Sequence, residues 1–336
     1  MKFVMHPPVE EGRLAKIRMV AGKEVQVVNA PDESVAVREI EDAEGFFGKL
    51  TPSLLAAAKR LRWVQAPTVS LEHYVFPQLV DHPCTLTNMR GLFSDVIADQ
   101  VMGYVICFAR NLHTYIRQQG ERRWAPVGGE GDRVSFATGP GEVNDIDRTH
   151  RHLGDCTMGI VGLGSIGREL AQRALAFEMT VIGVDPQVTA HEAPVGMTRV
   201  AAPEELGWLL GESDFVVIAA PHTPETESLF DRSLLQHMKT TGYLINIGRG
   251  AIVNLADLNA ALDAGELAGA ALDVFETEPL PSNHPLWRQP NVILTPHVAG
   301  YSQRIAERHL AVLLENLQRF RDHEPLINIA NKSKWY

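Results

Sequence analysis

Three glycines open the chemical reading of this chain. In GIVGLGSIGREL, Gly162, Gly164 and Gly167 stand in G-x-G-x-x-G spacing between an apolar run that reads as a strand and an amphipathic run that reads as a helix. That spacing suits a pyrophosphate. Gly162 permits the tight turn, Gly164 lets backbone amides approach the anion, and Gly167 lets the helix pack on the strand with its dipole facing the negative charge. Ser165 and Ile166, where the helix starts, are counted with them as cofactor contacts. The next apolar run, TVIGVDP, ends in Asp185, eighteen residues beyond Gly167. A carboxylate there accepts hydrogen bonds from both adenosine ribose hydroxyls and repels a 2′-phosphate, so the expected cofactor is NAD rather than NADP. In the segment DPQVTAH no arginine stands ready to receive that phosphate.

Later apolar runs end in further polar groups. Arg249 follows YLINIG, Asp273 follows AGAAL, His297 follows VILTP, and Glu278 lies five residues past Asp273. Singly, each has a bland alternative as a helix cap, a surface ion pair or a satisfied core histidine. Jointly they fall on the rim where open α/β sheets hold their ligands. Hydride transfer to a ketone leaves negative charge on oxygen, which calls for a proton donor with a pKa near the working pH and a fixed cation. Histidine suits the first task. Glu278, if bonded to the ring of His297, fixes its tautomer and favours its charged form, and Arg249 offers forked donors to a carboxylate and the neighbouring carbonyl.

The elements that must position these residues are legible from about residue 158 onward. MGIV, TVIGV, DFVVIAA, GYLINI, AGAALDV and NVILTP alternate with helical stretches such as IGRELAQRALAF and LADLNAALDAGEL, the latter with Asn254 as N-cap. Six strands with helical crossovers predict a doubly wound nucleotide domain. The first hundred residues read as a smaller α/β domain, with strands at LRWVQAP and HPCTLTN and a helix at SLLAAAKRL. A long helix is expected from Ser94 to Gln119, apolar around most of its circumference and therefore buried, with a partner subunit as one candidate cover. PVGGEGDRVSFATGPGEVNDID reads as a surface loop. The tail SQRIAERHLAVLLENLQRFRDHEP returns to helical periodicity and is expected to pack on the first domain, making it discontinuous.

Composition excludes several classes. With 336 residues the chain exceeds one usual core, and 45% hydrophobic and 21% charged residues are ordinary for a globular protein. No run reaches membrane-spanning length, and prolines and acids interrupt the N-terminus before a signal core forms, so a cytoplasmic protein that binds no membrane is expected. The net charge of -10, without a basic run, argues against nucleic acid. Cys84, Cys107 and Cys156 suggest neither disulfides nor a metal clip, and no metal ligand set is read.

These motifs resemble the D-isomer-specific 2-hydroxyacid dehydrogenase family, which includes hydroxypyruvate and glyoxylate reductases, D-lactate dehydrogenases and phosphoglycerate dehydrogenase. The resemblance runs from about LRWVQAP to HVAG and is most specific in GIVGLGSIGREL, INIGRGAIVN, GAALDVFETEPLP and NVILTPHVAG. It implies two doubly wound α/β domains: a flavodoxin-like substrate domain from residues 1–101 and 299–336, and a Rossmann NAD domain from 102–298. It implies that Arg249 binds substrate, that Glu278 supports His297, and that His297 is the acid/base. It further implies cofactor contacts from Ala220, Pro221, Ile247, Gly248 and Asp273, the last to the nicotinamide carboxamide. A homodimer through the nucleotide domains is implied too, with Trp124 either reaching the neighbouring site or packing locally.

The departures bear on substrate. Family members commonly cradle the substrate carboxylate on a loop like S-A-G-V-D, where this chain has T-V-S-L-E from Thr68 to Glu72. Ser70 replaces the glycine, and a Cβ restricts positive φ and close approach. Val69 and Ser70 are nonetheless the expected backbone contacts, and Arg90 of NMRG is either a compensating cation or a surface arginine. A small 2-keto or 2-hydroxy acid of the hydroxypyruvate or glyoxylate class is expected, with Val69, Leu71 and Phe93 narrowing its pocket if they point inward. Two other readings compete. Formate dehydrogenases pair the histidine with glutamine, against which Glu278 speaks. Corepressor-like NAD sensors keep the catalytic set but carry long disordered flanks or basic tracts, which this chain lacks.

Overall fold

The computed structural model describes residues 1–130, 142–187 and 192–335. The chain divides into two compact units, Met1–Leu92 with Ser302–Tyr336, and Phe93–Tyr301. The helix that begins at Ser94, which the division expected from sequence cuts in two, goes wholly with the second unit.

In the first unit five parallel strands, β1 (Lys2–His6), β2 (Gln26–Asn29), β3 (Gly45–Gly48), β4 (Trp63–Gln65) and β5 (Thr85–Thr87), lie in the order β2-β1-β3-β4-β5. This is the flavodoxin-like doubly wound order. Helices α1 (Glu11–Ala21), α2 (Glu33–Ile40), α3 (Pro52–Ala57) and α4 (Pro77–Asp81) make the crossovers. Phe3, Val4 and Met5 are fully buried, as a strand covered on both faces requires. Gly45 leaves the space in which the Phe3 and Trp63 rings stack at 5.2 Å; a Cβ there would come within 2.7 Å of Phe3. The C-terminal helix Ile305–Arg321 returns to this unit and buries Leu310, Leu313, Leu317 and Phe320. Its fully buried Asn316 donates to Gln65 Oε1 (2.8 Å) and Ile327 O (3.1 Å) and accepts from Ile327 N–H (2.8 Å). Every polar atom of that side chain that leaves water finds a partner, which is the condition for burying it without a large cost.

Of these five strands the sequence marks only β4 and β5. β1 and β3 are buried on both faces, and a strand so placed shows no alternation to betray it. The helix expected through SLLAAAKRL stops at Ala57, because Ala58 is extended and Lys59 and Arg60 turn to Glu41 and Glu44.

The second unit holds seven parallel strands: β6 (Thr157–Val161), β7 (Thr180–Val184), β8 (Arg199–Ala201), β9 (Phe215–Ile218), β10 (Tyr243–Asn246), β11 (Gly269–Leu272) and β12 (Val292–Leu294). Their order is β12-β11-β10-β9-β6-β7-β8, so the winding reverses between β6 and β9 and opens a crevice at the strands' C-terminal ends. The short edge strand β8 is an addition to the six read from sequence. Helices α5 (Ser94–Ala109), α6 (Leu112–Gly120), α7 (Asp145–Thr149), α8 (Ser165–Ala176), α9 (Leu206–Glu212), α10 (Arg232–Leu235) and α11 (Leu255–Asp263) accompany the sheet. Apolar layers cover both its faces, one built on Leu209, Leu258 and Leu262, the other on Val101, Val105 and Leu170.

The continuous helix expected from Ser94 to Gln119 is two helices. Asn111 takes a left-handed conformation (φ 56°) between α5 and α6, and its Nδ2 donates to Thr149 O at 2.7 Å. Asparagine tolerates that region better than other residues with a Cβ. The apolar circumference of α5 is also largely covered within its own unit: Ile97, Ala98, Val101, Met102, Tyr104, Val105 and Phe108 are buried there. It therefore gives no ground for a partner subunit. The Gly-rich stretch expected as a loop falls largely on residues 131–141, outside the described residues, and ends in α7, which Asn144 and Asp147 cap reciprocally. Among the described residues no helix is long and apolar enough to cross a membrane, and no group of His, Cys, Asp and Glu could hold a metal.

Candidate active site

The glycine loop joins β6 to α8. Gly162 has φ +96°, and a Cβ on it would come within 2.8 Å of the backbone of Ala220, at the exit of β9. A Cβ on Gly167 would lie 2.1 Å from Gly162 O, so the helix reaches the strand only because residue 167 is glycine. At Gly164, by contrast, an added Cβ would meet nothing within 4 Å. Ser165 and Ile166 open α8, whose N-cap Gly164 supplies no side-chain cap. Free first-turn amides above open space are what a pyrophosphate needs, so these residues fit a dinucleotide. Asp185 follows β7, its Oδ2 accepting from Leu163 N–H (2.7 Å) and its Oδ1 from Gln187 N–H (2.8 Å). The acid thus holds the glycine loop as well as facing outward from the strand end.

Arg249 lies in the turn after β10. Asn246, fully buried, locks that turn: its Oδ1 accepts from Gly248 N–H (3.0 Å) and its Nδ2 donates to Arg249 O (2.9 Å). Arg249 is half-buried and its Nη1 donates to Gly248 O at 2.8 Å. Ile247 is buried, and a Cβ on Gly248 would come within 2.7 Å of Ala220 O, so the chains leaving β9 and β10 run against each other. Pro221 follows on the exposed side. Gly250 is sterically required, since a Cβ there would fall 1.8 Å from the carbonyl carbon of Phe275.

His297 and Glu278 meet. His297 Nδ1 lies 2.7 Å from Glu278 Oε2, while Glu278 Oε1 accepts from Phe275 N–H at 3.0 Å. With the carboxylate pinned at both oxygens, the proton between it and the ring sits on Nδ1, which leaves Nε2 as the ring atom that can exchange a proton outward. Both side chains keep solvent contact, 51% exposed for His297 and 36% for Glu278. His297 itself is left-handed (φ 53°), its N–H shared between Asp273 O (2.9 Å) and Thr295 O (3.0 Å). Asp273 is buried, and its carboxylate accepts from Thr295 Oγ1, Val298 N–H and Ala299 N–H. It therefore holds the turn that carries His297.

The expected substrate contacts Val69, Ser70 and Arg90 belong to the first unit, on the loops after β4 and β5. Asn88 ties the two loops together, donating to Val69 O (2.9 Å) and accepting from Arg90 N–H (3.1 Å). Ser70 does not have positive φ, so its Cβ is no obstacle to this loop's conformation. Arg90 is exposed. Leu71 is fully buried in the first unit's core, which removes it from the residues expected to narrow a pocket.

Residues 102–299 match the family model described as D-isomer specific 2-hydroxyacid dehydrogenase, NAD binding domain. The chain belongs to this family. As a D-isomer specific 2-hydroxyacid dehydrogenase it is an oxidoreductase acting on the CH–OH group of 2-hydroxy acids with a nicotinamide cofactor. It is similar to a glyoxylate reductase of Thermofilum pendens, 32% identical over 85% of this chain and 81% of that one. It is also similar to glyoxylate/hydroxypyruvate reductase B of Serratia proteamaculans, 33% identical over 80% and 79%. Among solved structures, a D-isomer specific 2-hydroxyacid dehydrogenase of Xanthobacter autotrophicus, in complex with NADPH and MES, superimposes with a TM-score of 0.80 at 26% identity, covering 100% of this chain and 99% of that one.

In this dehydrogenase the candidate residues Arg249, Asp273, Glu278 and His297 are legible in the sequence, whereas the residues that hold their turns, such as Asn246, are not. Asn246 carries a signal in hindsight, a polar residue closing an otherwise apolar strand. Thr295 and the buried Tyr104 of α5 carry none, because their pairing spans 191 positions.

Proposed function

We propose that the protein is an NADH-dependent reductase of small 2-keto acids, of the glyoxylate or hydroxypyruvate class, with His297 as the acid. The observation that supports this reading is the ring of His297 held through Nδ1 by Glu278, itself held by Phe275 N–H, which leaves Nε2 as the ring nitrogen for proton exchange. Bound NADH would supply the hydride that reaches C2 of the keto acid. As C2 becomes tetrahedral, His297 gives the proton on Nε2 to the carbonyl oxygen, and Glu278 stabilises the charged ring before that transfer. Arg249 binds the carboxylate and the carbonyl oxygen through its forked donors. Val69, Ser70 and Arg90 are the further substrate contacts proposed from the sequence, and they belong to the first unit. The amides at Gly164, Ser165 and Ile166 would hold the cofactor, with Ala220, Pro221, Ile247, Gly248 and Asp273 flanking it.

NADH is favoured over NADPH because a carboxylate at Asp185, the acid after the second strand of the nucleotide fold, would repel a 2′-phosphate, although the Xanthobacter relative was crystallised with NADPH. A small, singly charged acid is favoured because Arg249 and Arg90 are the only cations in INIGRG, TNMRGLFSD and QAPTVSLEHY. A phosphorylated substrate would bring about two more charges and need more donors. We also read the chain as a homodimer, supported by exposed Ile116 and Trp124 at 65% and 83%; sedimentation equilibrium at micromolar concentration showing only monomer would refute this. Steady-state kinetics with NADH and NADPH across glyoxylate, hydroxypyruvate, pyruvate, phenylpyruvate and 3-phosphohydroxypyruvate test the main reading. The highest kcat/KM should fall to glyoxylate or hydroxypyruvate with NADH. A maximum at the phosphorylated or aromatic compound, or equal efficiency with NADPH, overturns it.

A further inference from the structure

Behind His297 runs a line of hydroxyls whose proton directions the geometry fixes. Asp273, 2% exposed, accepts from Thr295 Oγ1 (2.5 Å) and Val298 N–H (2.9 Å) at Oδ1, and from Ala299 N–H (2.9 Å) at Oδ2. The single hydroxyl hydrogen of Thr295 is spent on that carboxylate. At its 2.5 Å contact with Tyr104 Oη, Thr295 therefore accepts and Tyr104 donates. Tyr104 Oη in turn accepts from Gln100 Nε2 at 3.0 Å. Burial pushes the Tyr104 phenol up, so it stays a donor at any working pH.

The turn this line supports carries His297 at φ 53°, a conformation that costs energy for a residue with a Cβ and persists where its surroundings over-determine it. Asp273 supplies that constraint from both sides, through its carbonyl to His297 N–H and through its carboxylate to residues 295, 298 and 299. The carboxylate in turn is oriented by Thr295, and Thr295 by Tyr104.

We infer that Tyr104 and Thr295 are positioning residues for the reduction, holding the turn after β12 so that the His297 ring meets Glu278. The inference rests on the reading of His297 as the acid. Neither side chain touches the reacting atoms in this scheme, and each acts through Asp273 and the backbone of the turn.

The test uses Tyr104→Phe and Thr295→Val, which keep shape and delete one hydroxyl, with Thr295→Ser as the conservative control. Each is made in the wild-type chain and in the His297→Asn chain, and assayed by glyoxylate reduction with NADH. In the wild-type background kcat should fall about tenfold, the size of one lost hydrogen bond to a charged network. KM for glyoxylate and Kd for NADH should stay within twofold, the pH profile of kcat should shift, and Thr295→Ser should restore the parent values. In the His297→Asn background neither hydroxyl should matter further. Wild-type kcat and pH profile in both variants, even with a lowered Tm, would overturn the inference. So would an equal proportional loss with and without His297. Full activity of His297→Asn alone would instead remove the parent reading.

Discussion

Replacing Glu278 by glutamine perturbs the site with the least change in shape. The wild-type carboxylate accepts two hydrogen bonds, from His297 Nδ1 at 2.7 Å and from Phe275 N–H at 3.0 Å. Glutamine has one acceptor oxygen and one NH2 group. If the NH2 turns to Phe275, two donors face each other and the side chain swings away. If it turns to His297, Nδ1 must become an acceptor, which a charged ring cannot be. Either way the imidazolium loses a charge-assisted hydrogen bond, worth about 1.5–3 kcal/mol. Solvent reaches both groups, 36% and 51% exposed, which places the effect at the lower end of that range. At about 1.4 kcal/mol per decade, kcat for keto-acid reduction should fall about 10- to 30-fold. Stopped-flow single turnover at saturating NADH separates this loss from product release, and fluorescence titration should show unchanged NADH affinity. A kcat within twofold of wild type would refute the argued role of Glu278.

Three further outcomes follow from other parts of the molecule. His297→Asn should lower kcat by about 10²–10⁴ with NADH affinity nearly intact; more than a tenth of wild-type kcat remaining would exclude His297 as the acid. Asp185→Ser should weaken NADH binding without conferring NADPH binding of comparable strength, because Leu163 N–H and Gln187 N–H both lose their acceptor and the glycine loop loosens; a clean switch measured by kcat/KM would contradict this. His309 donates from Nε2 to Pro67 O (3.0 Å) and accepts at Nδ1 from Arg13 Nη1 (3.1 Å), and burial, then Arg13, pushes its pKa below 6.5. The unfolded chain therefore takes up this proton first. Its stabilising contribution is complete above about pH 6.5 and is lost as pH falls from there toward the depressed folded value. Urea midpoints for the first unit should decline over that window, and the His309→Gln variant should decline less steeply.

The candidate reactive groups and most of the second unit's scaffold are legible in the chain. Gly162 and Gly167 are legible because neighbouring backbone leaves no room for a Cβ, Gly164 because it stands in register with them, and the strand, turn, helix and acid lie within a few tens of positions of one another. Arg249, Asp273, Glu278 and His297 are legible because strand ends in a parallel sheet are readable from apolar runs, and reactive types at those ends are few. The same local logic failed where burial erased periodicity, at β1 and β3, and where one residue's tolerance for a left-handed backbone decided the outcome, as Asn111 does in splitting α5 from α6. Only the tertiary structure decided which residues aim the reactive ones. Asn246 on the Arg249 turn, Asn88 between the two loops of the first unit, and Tyr104 through Thr295 on Asp273 are all hydrogen bonds of fixed direction. The chain alone does not reveal the most distant of these, because a hydrogen bond depends on an approach of about 3 Å in space, and Tyr104 lies 191 positions from Thr295.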